Sequence, residues 1–175
     1  MAMQRSASRL LFAAALLLPG VVTTTLAADV LDQAQSATVI GPSNPLLAEG
    51  TDALEAGRFE EGVRLTLAGL EQPTNDRDKA AGHSNVCAGY AALKRWEEAL
   101  DHCNQALELD RGNWRTFNNR AAVFVGLRKF DLAMADVNAG LELAPDSPTL
   151  HKSREVVLEH HAADRRARWR RPNKA

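Results

Sequence analysis

Two cysteines and a histidine are the residues of this chain whose types and spacing best suit covalent or metal chemistry. Cys87 and Cys103 are the only cysteines in 175 residues. His83 precedes Cys87 by four residues, one helical turn, so the two share a face if the segment is helical. Two outcomes stay open. The thiols can form a disulfide, the usual fate of an even cysteine count in an oxidising compartment. Alternatively His83, Cys87 and Cys103 can converge on a soft metal such as copper or zinc, giving a metal- or redox-handling protein. A histidine at position 83 can equally be a packed core residue. His102 adjoins Cys103 and is expected to point elsewhere. Glu159-His160-His161 and Asp164 match no strong ligand spacing and read as a solvated helix. No nucleophile with a matching base, no phosphate-binding loop and no paired carboxylates with a reason to be perturbed are recognisable. The motifs therefore argue against an enzyme and call for no cofactor.

The elements that must position these side chains are helices in a repeat. With Phe59, Trp96 and Phe130 set as equivalent, Gly62, Ala99 and Ala133 follow three residues later, and Gly69, Ala106 and Gly140 follow ten later. Gly50, Cys87 and Ala121 lie nine earlier. Small residues at fixed offsets let the two helices of a hairpin, and then neighbouring hairpins, approach closely. Trp96 and Phe130 are 34 residues apart and Phe59 and Trp96 are 37 apart. The three extra residues are expected in the polar loop Gln72-Pro73-Thr74-Asn75-Asp76, which absorbs them at little cost. In this register Cys87 lies on the first helix of hairpin two and Cys103 on the second. A bond between them requires their Cα atoms within about 7 Å.

Punctuation agrees with helices. Asn44-Pro45 and Ser147-Pro148 each offer an N-cap followed by proline, and Asn113 caps a helix opening at Trp114. Gly57 and Gly126 are expected at left-handed inner turns. Gly82 and Gly89 fall inside a helix and read as close-packing sites. Arg120 is directed towards the second helix of its hairpin, near Asp136. Such a pair, if exposed, would be worth under about 1 kcal/mol.

Copies two and three read Arg95-Trp96-Glu97-Glu98-Ala99-Leu100 with Ala106-Leu107-Glu108-Leu109-Asp110, and Lys129-Phe130-Asp131-Leu132-Ala133-Met134 with Gly140-Leu141-Glu142-Leu143-Ala144-Pro145. This closely resembles the tetratricopeptide repeat family, over roughly residues 43–147. Copy one is degenerate: Ala53 and Gln72 stand where the family has an aromatic and a leucine. The resemblance implies an all-α fold, a right-handed superhelical solenoid of three helix-turn-helix hairpins (43–79, 80–113 and 114–147). A capping helix over 148–170 would close it, with Leu150, Val157, Leu158 and His161 covering the third hairpin.

The resemblance also implies a non-catalytic scaffold that holds a protein or peptide in a concave groove lined by the first helices. Register would bring Ser84 and Asn85, then Arg115, Asn118 and Asn119, then Lys152 with Thr149 and Ser153, onto that face. Copy one adds only Leu47, Ala48 and Thr51. Asn85 and Asn119 are equivalent, and an amide can pair with the backbone of an extended peptide. Arg115 can bind a carboxylate. The family's chaperone-tail carboxylate clamp is not reproduced: Ser84 replaces its lysine, and Thr149 and Ser153 replace its basic pair.

The ends complete the reading. Arg5 and Arg9 precede the apolar run Leu10–Leu18, and Thr25-Leu26-Ala27 follows, the layout of a signal peptide over residues 1–27. The run is too short to span a bilayer. A periplasmic or secreted protein, soluble after cleavage, is expected, with residues 28–42 a flexible leader. Net charge is −1 overall, but residues 28–148 carry −8 and residues 149–175 carry +5. The basic end, including the tail 171–175, suits anionic headgroups or an acidic protein. It also suits the negative end of a helix dipole. Nucleic acid is not an expected partner of an exported chain.

Overall fold

The computed structural model describes residues 44–170. The expected signal peptide (1–27), leader (28–42) and basic tail (171–175) lie outside the described residues. The described residues form seven helices: α1 (Pro45–Glu55), α2 (Phe59–Leu70), α3 (Asp76–Ala92), α4 (Trp96–Leu109), α5 (Trp114–Gly126), α6 (Phe130–Leu143) and α7 (Pro148–Trp169). They pair as hairpins α1–α2, α3–α4 and α5–α6, and α7 packs on the last. The first helices also touch in series: α1 with α3, α3 with α5, and α5 with α7. Among the described residues there is no strand, and no helix is long and apolar enough to cross a membrane.

Helix starts follow the expected caps. The side chains of Asn44, Asn113 and Ser147 accept from the backbone N–H of Leu46, Arg115 and Leu150, satisfying donors the first turn leaves unpaired. Asn75 does the same for Asp78, and its amide also donates to the Asp78 carboxylate. That cap starts α3 at Asp76, four residues before the expected boundary at 80. The residues added between copies one and two therefore lengthen a helix by a turn and do not simply swell the loop. A polar sequence that contains its own cap and acidic first turn can continue a helix as readily as interrupt it.

Left-handed backbone occurs at the equivalent positions Gly57 (φ 74°), Lys94 (φ 59°) and Arg128 (φ 59°). Gly126 is not among them, contrary to expectation. It is the last residue of α5, and a Cβ there would lie 2.7 Å from the Trp96 indole. Its smallness serves packing between hairpins two and three.

The small residues of the repeat sit where backbones meet. A Cβ on Gly50 would come within 2.8 Å of the Thr66 backbone nitrogen and 3.1 Å of the Gly62 carbonyl. Cys87, Ala99 and Ala133 are fully buried. Gly89 is closed in by Val63 and Leu54, and Gly82 by Leu70, so both helix glycines are packing residues. The core is continuous through Val63, Val86, Tyr90 and Val123, and again through Phe124, Phe130, Val137 and Leu141. Leu150 and Val157 of α7 close its end, and His161 stacks on Phe130 at 5.4 Å. Leu158 does not join them; it is 55% exposed. The buried stripe of α7 passes through 150, 157 and 164, and position 158 lies about 100° off it.

Candidate binding surface

The polar residues expected to line a groove are brought together along the series α1, α3, α5 and α7, but most already bond one another. The Asn85 amide donates to Thr51 Oγ1 at 3.0 Å. Thr116 Oγ1 donates to Ser84 Oγ at 3.0 Å. The Asn119 amide donates to the Ser84 carbonyl and hydroxyl at 3.3 Å each. Ser153 Oγ donates to Asn118 Oδ1 at 2.6 Å. Ser84, Asn85, Asn118 and Asn119 are all buried. The expectation of two free amides facing a ligand is therefore corrected: these side chains staple successive first helices. Buried polar groups need partners, and close helices leave little room for one from outside. Thr51/Asn85, Ser84/Asn119 and Asn118/Ser153 are each 34 or 35 residues apart, one repeat, so the spacing marks which residues can pair but not how closely their helices approach.

Two expected ligand contacts behave differently. Lys152 is exposed and pairs with Glu155 one turn along at 3.3 Å. Arg115 is half-buried, with its guanidinium 4.7 Å above the Trp114 ring. Its Nε is buried without a hydrogen-bond partner among the described residues, and burial lowers its pKa from the usual value. Positions 115, 118, 119 and 122 share one stripe of α5, so this unsatisfied cation stands one turn from the ladder. Asn119 Oδ1 is a second buried atom there without a partner. Arg120 points the other way, as expected, onto Asp136.

Cys87 and Cys103 meet across hairpin two. Their Cα atoms are 5.2 Å apart and the sulfurs lie at bonding distance. Both side chains are wholly buried. A bonded pair offers no thiolate to a metal. Among the described residues, no group of three or more His, Cys, Asp or Glu side chains is placed to hold an ion. His83 meets His102, Nδ1 to Nδ1 at 3.0 Å, with Tyr90 beside the second ring. The expectation that His102 points away is thus corrected.

One ring N–H of the histidine pair donates to the other ring's lone pair, so protonating both rings removes the bond and sets two like charges together. Burial lowers the pKa of His83, with the His102 charge adding to the effect. Burial also lowers that of His102, partly opposed by Asp101. The unfolded chain therefore takes up these protons at higher pH than the folded one. The stabilisation is complete above the ordinary value of 6.5 and is lost as pH falls through the depressed folded values. Thermal unfolding followed by circular dichroism should show a melting temperature that drops with acidification below that point. The drop should be shallower in His83→Phe. Equal slopes for the two proteins would refute the coupling.

The family profile for the tetratricopeptide repeat matches residues 80–113. Sperm-associated antigen 1 of Mus musculus is 31% identical over 110 residues, covering 62% of this chain and 12% of that protein. Peptidyl-prolyl cis-trans isomerase FKBP4 of Bos taurus is 29% identical over 122 residues, covering 63% of this chain and 26% of that protein. The chain spans no more than about a quarter of either relative's length. Among solved structures, the first TPR domain of human RPAP3 superposes with a TM-score of 0.63 at 21% identity, covering 70% of this chain and 94% of that one. The first TPR of Spaghetti (RPAP3) bound to the HSP90 peptide SRMEEVD gives a TM-score of 0.60 at 22% identity, covering 67% and 90%. At these identities the likeness establishes the fold.

Proposed function

We propose that this chain, a member of the tetratricopeptide-repeat family, is a non-catalytic scaffold that binds an acidic segment of a protein or peptide on the surface shared by α1, α3, α5 and α7. The observation that carries this reading is Arg115. Its half-buried guanidinium is held against Trp114 and bonds no acceptor among the described residues, so its accessible edge is free to take a carboxylate from outside. The contact is charge-assisted and therefore strong. The HSP90 peptide in the RPAP3 neighbour is itself acidic at its end, Glu-Glu-Val-Asp. Ser84, however, is committed to Thr116 and Asn119 here, so one cation and a flat, small-residue floor replace a multi-lysine clamp. Small Ala88 and Ala122, both partly exposed, form that floor.

Export to the cell envelope or the medium is part of the reading. It rests on Arg5, Arg9, the Leu10–Leu18 run and Ala27, and on a cysteine pair suited to an oxidising compartment. No observation favours the metal- or redox-handling alternative, because it needs Cys87 and Cys103 as free thiols.

The test is crosslinking and affinity capture from the envelope fraction, comparing wild type with Arg115→Ala. Loss of one charge-assisted contact should weaken capture by roughly tenfold to a hundredfold. Arg115 bonds no neighbouring side chain, so its removal leaves the ladder intact; replacing Asn85 and Asn119 would instead destabilise the stack. Capture of the same partner at equal strength by the variant would sink the site.

A further inference from the structure

Charge is segregated along this molecule, and the basic end has a second property. The last buried residue of α7 is Asp164. Beyond it, residues 165–170 are all exposed, and Trp169 is 91% exposed. The Asp164 carboxylate is taken up by Arg128 and Arg168. Arg165, Arg166 and Arg170 have no acidic partner among the described residues, and neither does Lys129 on the turn between α5 and α6. Lys129, Arg165 and Arg168 border one surface depression of about 410 Å³, together with Leu132, itself 49% exposed. Asp131 and Asp164 are the acids on its rim, against four cations. Trp169 follows Arg165 by one turn of α7, on the same side of the helix and beyond the depression.

We propose that this end of the solenoid docks on an anionic membrane surface. The pairing of unneutralised cations with exposed apolar side chains selects that partner. Cations draw the face to acidic headgroups, while an indole at a helix end is an interfacial anchor whose apolar body enters the boundary as its N–H stays wet. An acidic protein would also satisfy the arginines, but an indole at the very end of a helix, beyond its last buried residue, suits a headgroup boundary better than a packed pocket. The helix lies on the surface and does not cross it. The rest of the described chain, acidic overall, is held off the bilayer by repulsion, leaving the Arg115 surface open to solvent.

The experiment is co-sedimentation of the full chain with phosphatidylcholine vesicles, with and without phosphatidylglycerol, at low and high salt. Binding is expected only with phosphatidylglycerol, and it should weaken with salt. Each cation removed should lower partitioning by roughly fivefold, so the triple variant R165Q/R166Q/R170Q falls by about a hundredfold. These side chains are all exposed, and an unchanged circular dichroism spectrum confirms that the variant is folded. The blue shift of tryptophan emission on binding should be lost in Trp169→Phe. Equal partitioning by wild type and the triple variant, or equal binding to neutral vesicles, would overturn the proposal and assign binding to the apolar run at residues 10–18. Binding to soluble polyglutamate with none to vesicles would overturn it in favour of an acidic protein. Arg115→Ala should bind vesicles as wild type does, which separates this result from the fate of the peptide surface.

Discussion

Reducing the Cys87–Cys103 pair, or replacing both residues with alanine, is expected to lower the free energy of unfolding by about 3 kcal/mol. The bond joins residues 16 apart, and a loop of that length removes roughly this much entropy from the unfolded chain. Alanine adds a cavity cost, since both side chains are wholly buried in the central cluster with Val86, Tyr90 and Ala99. The double variant should therefore lose somewhat more than the reduced wild type. For a folded region of this size the melting temperature should fall by roughly 10 °C. The effect should spread to hairpins one and three, because α3 contacts α1, α2, α4 and α5, and repeats hold one another through neighbouring interfaces. Intact mass of the purified chain under non-reducing conditions should lack two hydrogens relative to the reduced form. Two alkylatable thiols in the native protein, or a melting temperature indifferent to reductant, would contradict this expectation.

The sequence shows the repeat more clearly than the surface, and the reason is physical. Gly62 is small because the Gly50 carbonyl and Leu54 lie where a Cβ would go, and Ala99 and Ala133 are wholly buried, so a large side chain has no room at any of the three. Caps such as Asn44 and Ser147 are local, so they too can be read from neighbouring residues. What depends on a distance between elements is not legible in the same way. Whether Asn85 and Asn119 face a ligand or a neighbour is decided by how closely α1, α3 and α5 pack, and one-dimensional register does not contain that separation. The place of His102 depends on the same kind of separation: it meets His83 between α3 and α4. Helical spacing alone favours Leu158 and turn position alone favours a left-handed Gly126, yet one lies off the buried stripe of α7 and the other completes α5 under an indole. The turn added to α3 was hidden by polar residues that serve loops and first helical turns equally well.

Arg120 shows how burial changes the size of an effect that register locates correctly. Replacing it with methionine is expected to cost about 3–5 kcal/mol, far above the value for an exposed pair. Its Nε and Nη2 donate to the two oxygens of Asp136 at 2.8 Å each, and Nη1 donates to Asn104 Oδ1 at 2.8 Å. One guanidinium thus ties α5 to α6 and hairpin three to hairpin two. The Asp136 side chain is 8% exposed and that of Arg120 is 22% exposed. Methionine at 120 would strand a carboxylate with almost no access to water. Leucine at 136 would strand a cation that can swing outward, so its cost should be smaller. The double variant R120M/D136L strands neither, and an apolar pair of similar volume should recover most of the loss. Urea unfolding of the four proteins gives the coupling as a double-mutant cycle. A strongly non-additive cycle, with the methionine variant the least stable, is the expected result. Additive and equal costs for the two single variants would mean that solvent reaches Asp136 and that the pair is an ordinary surface contact.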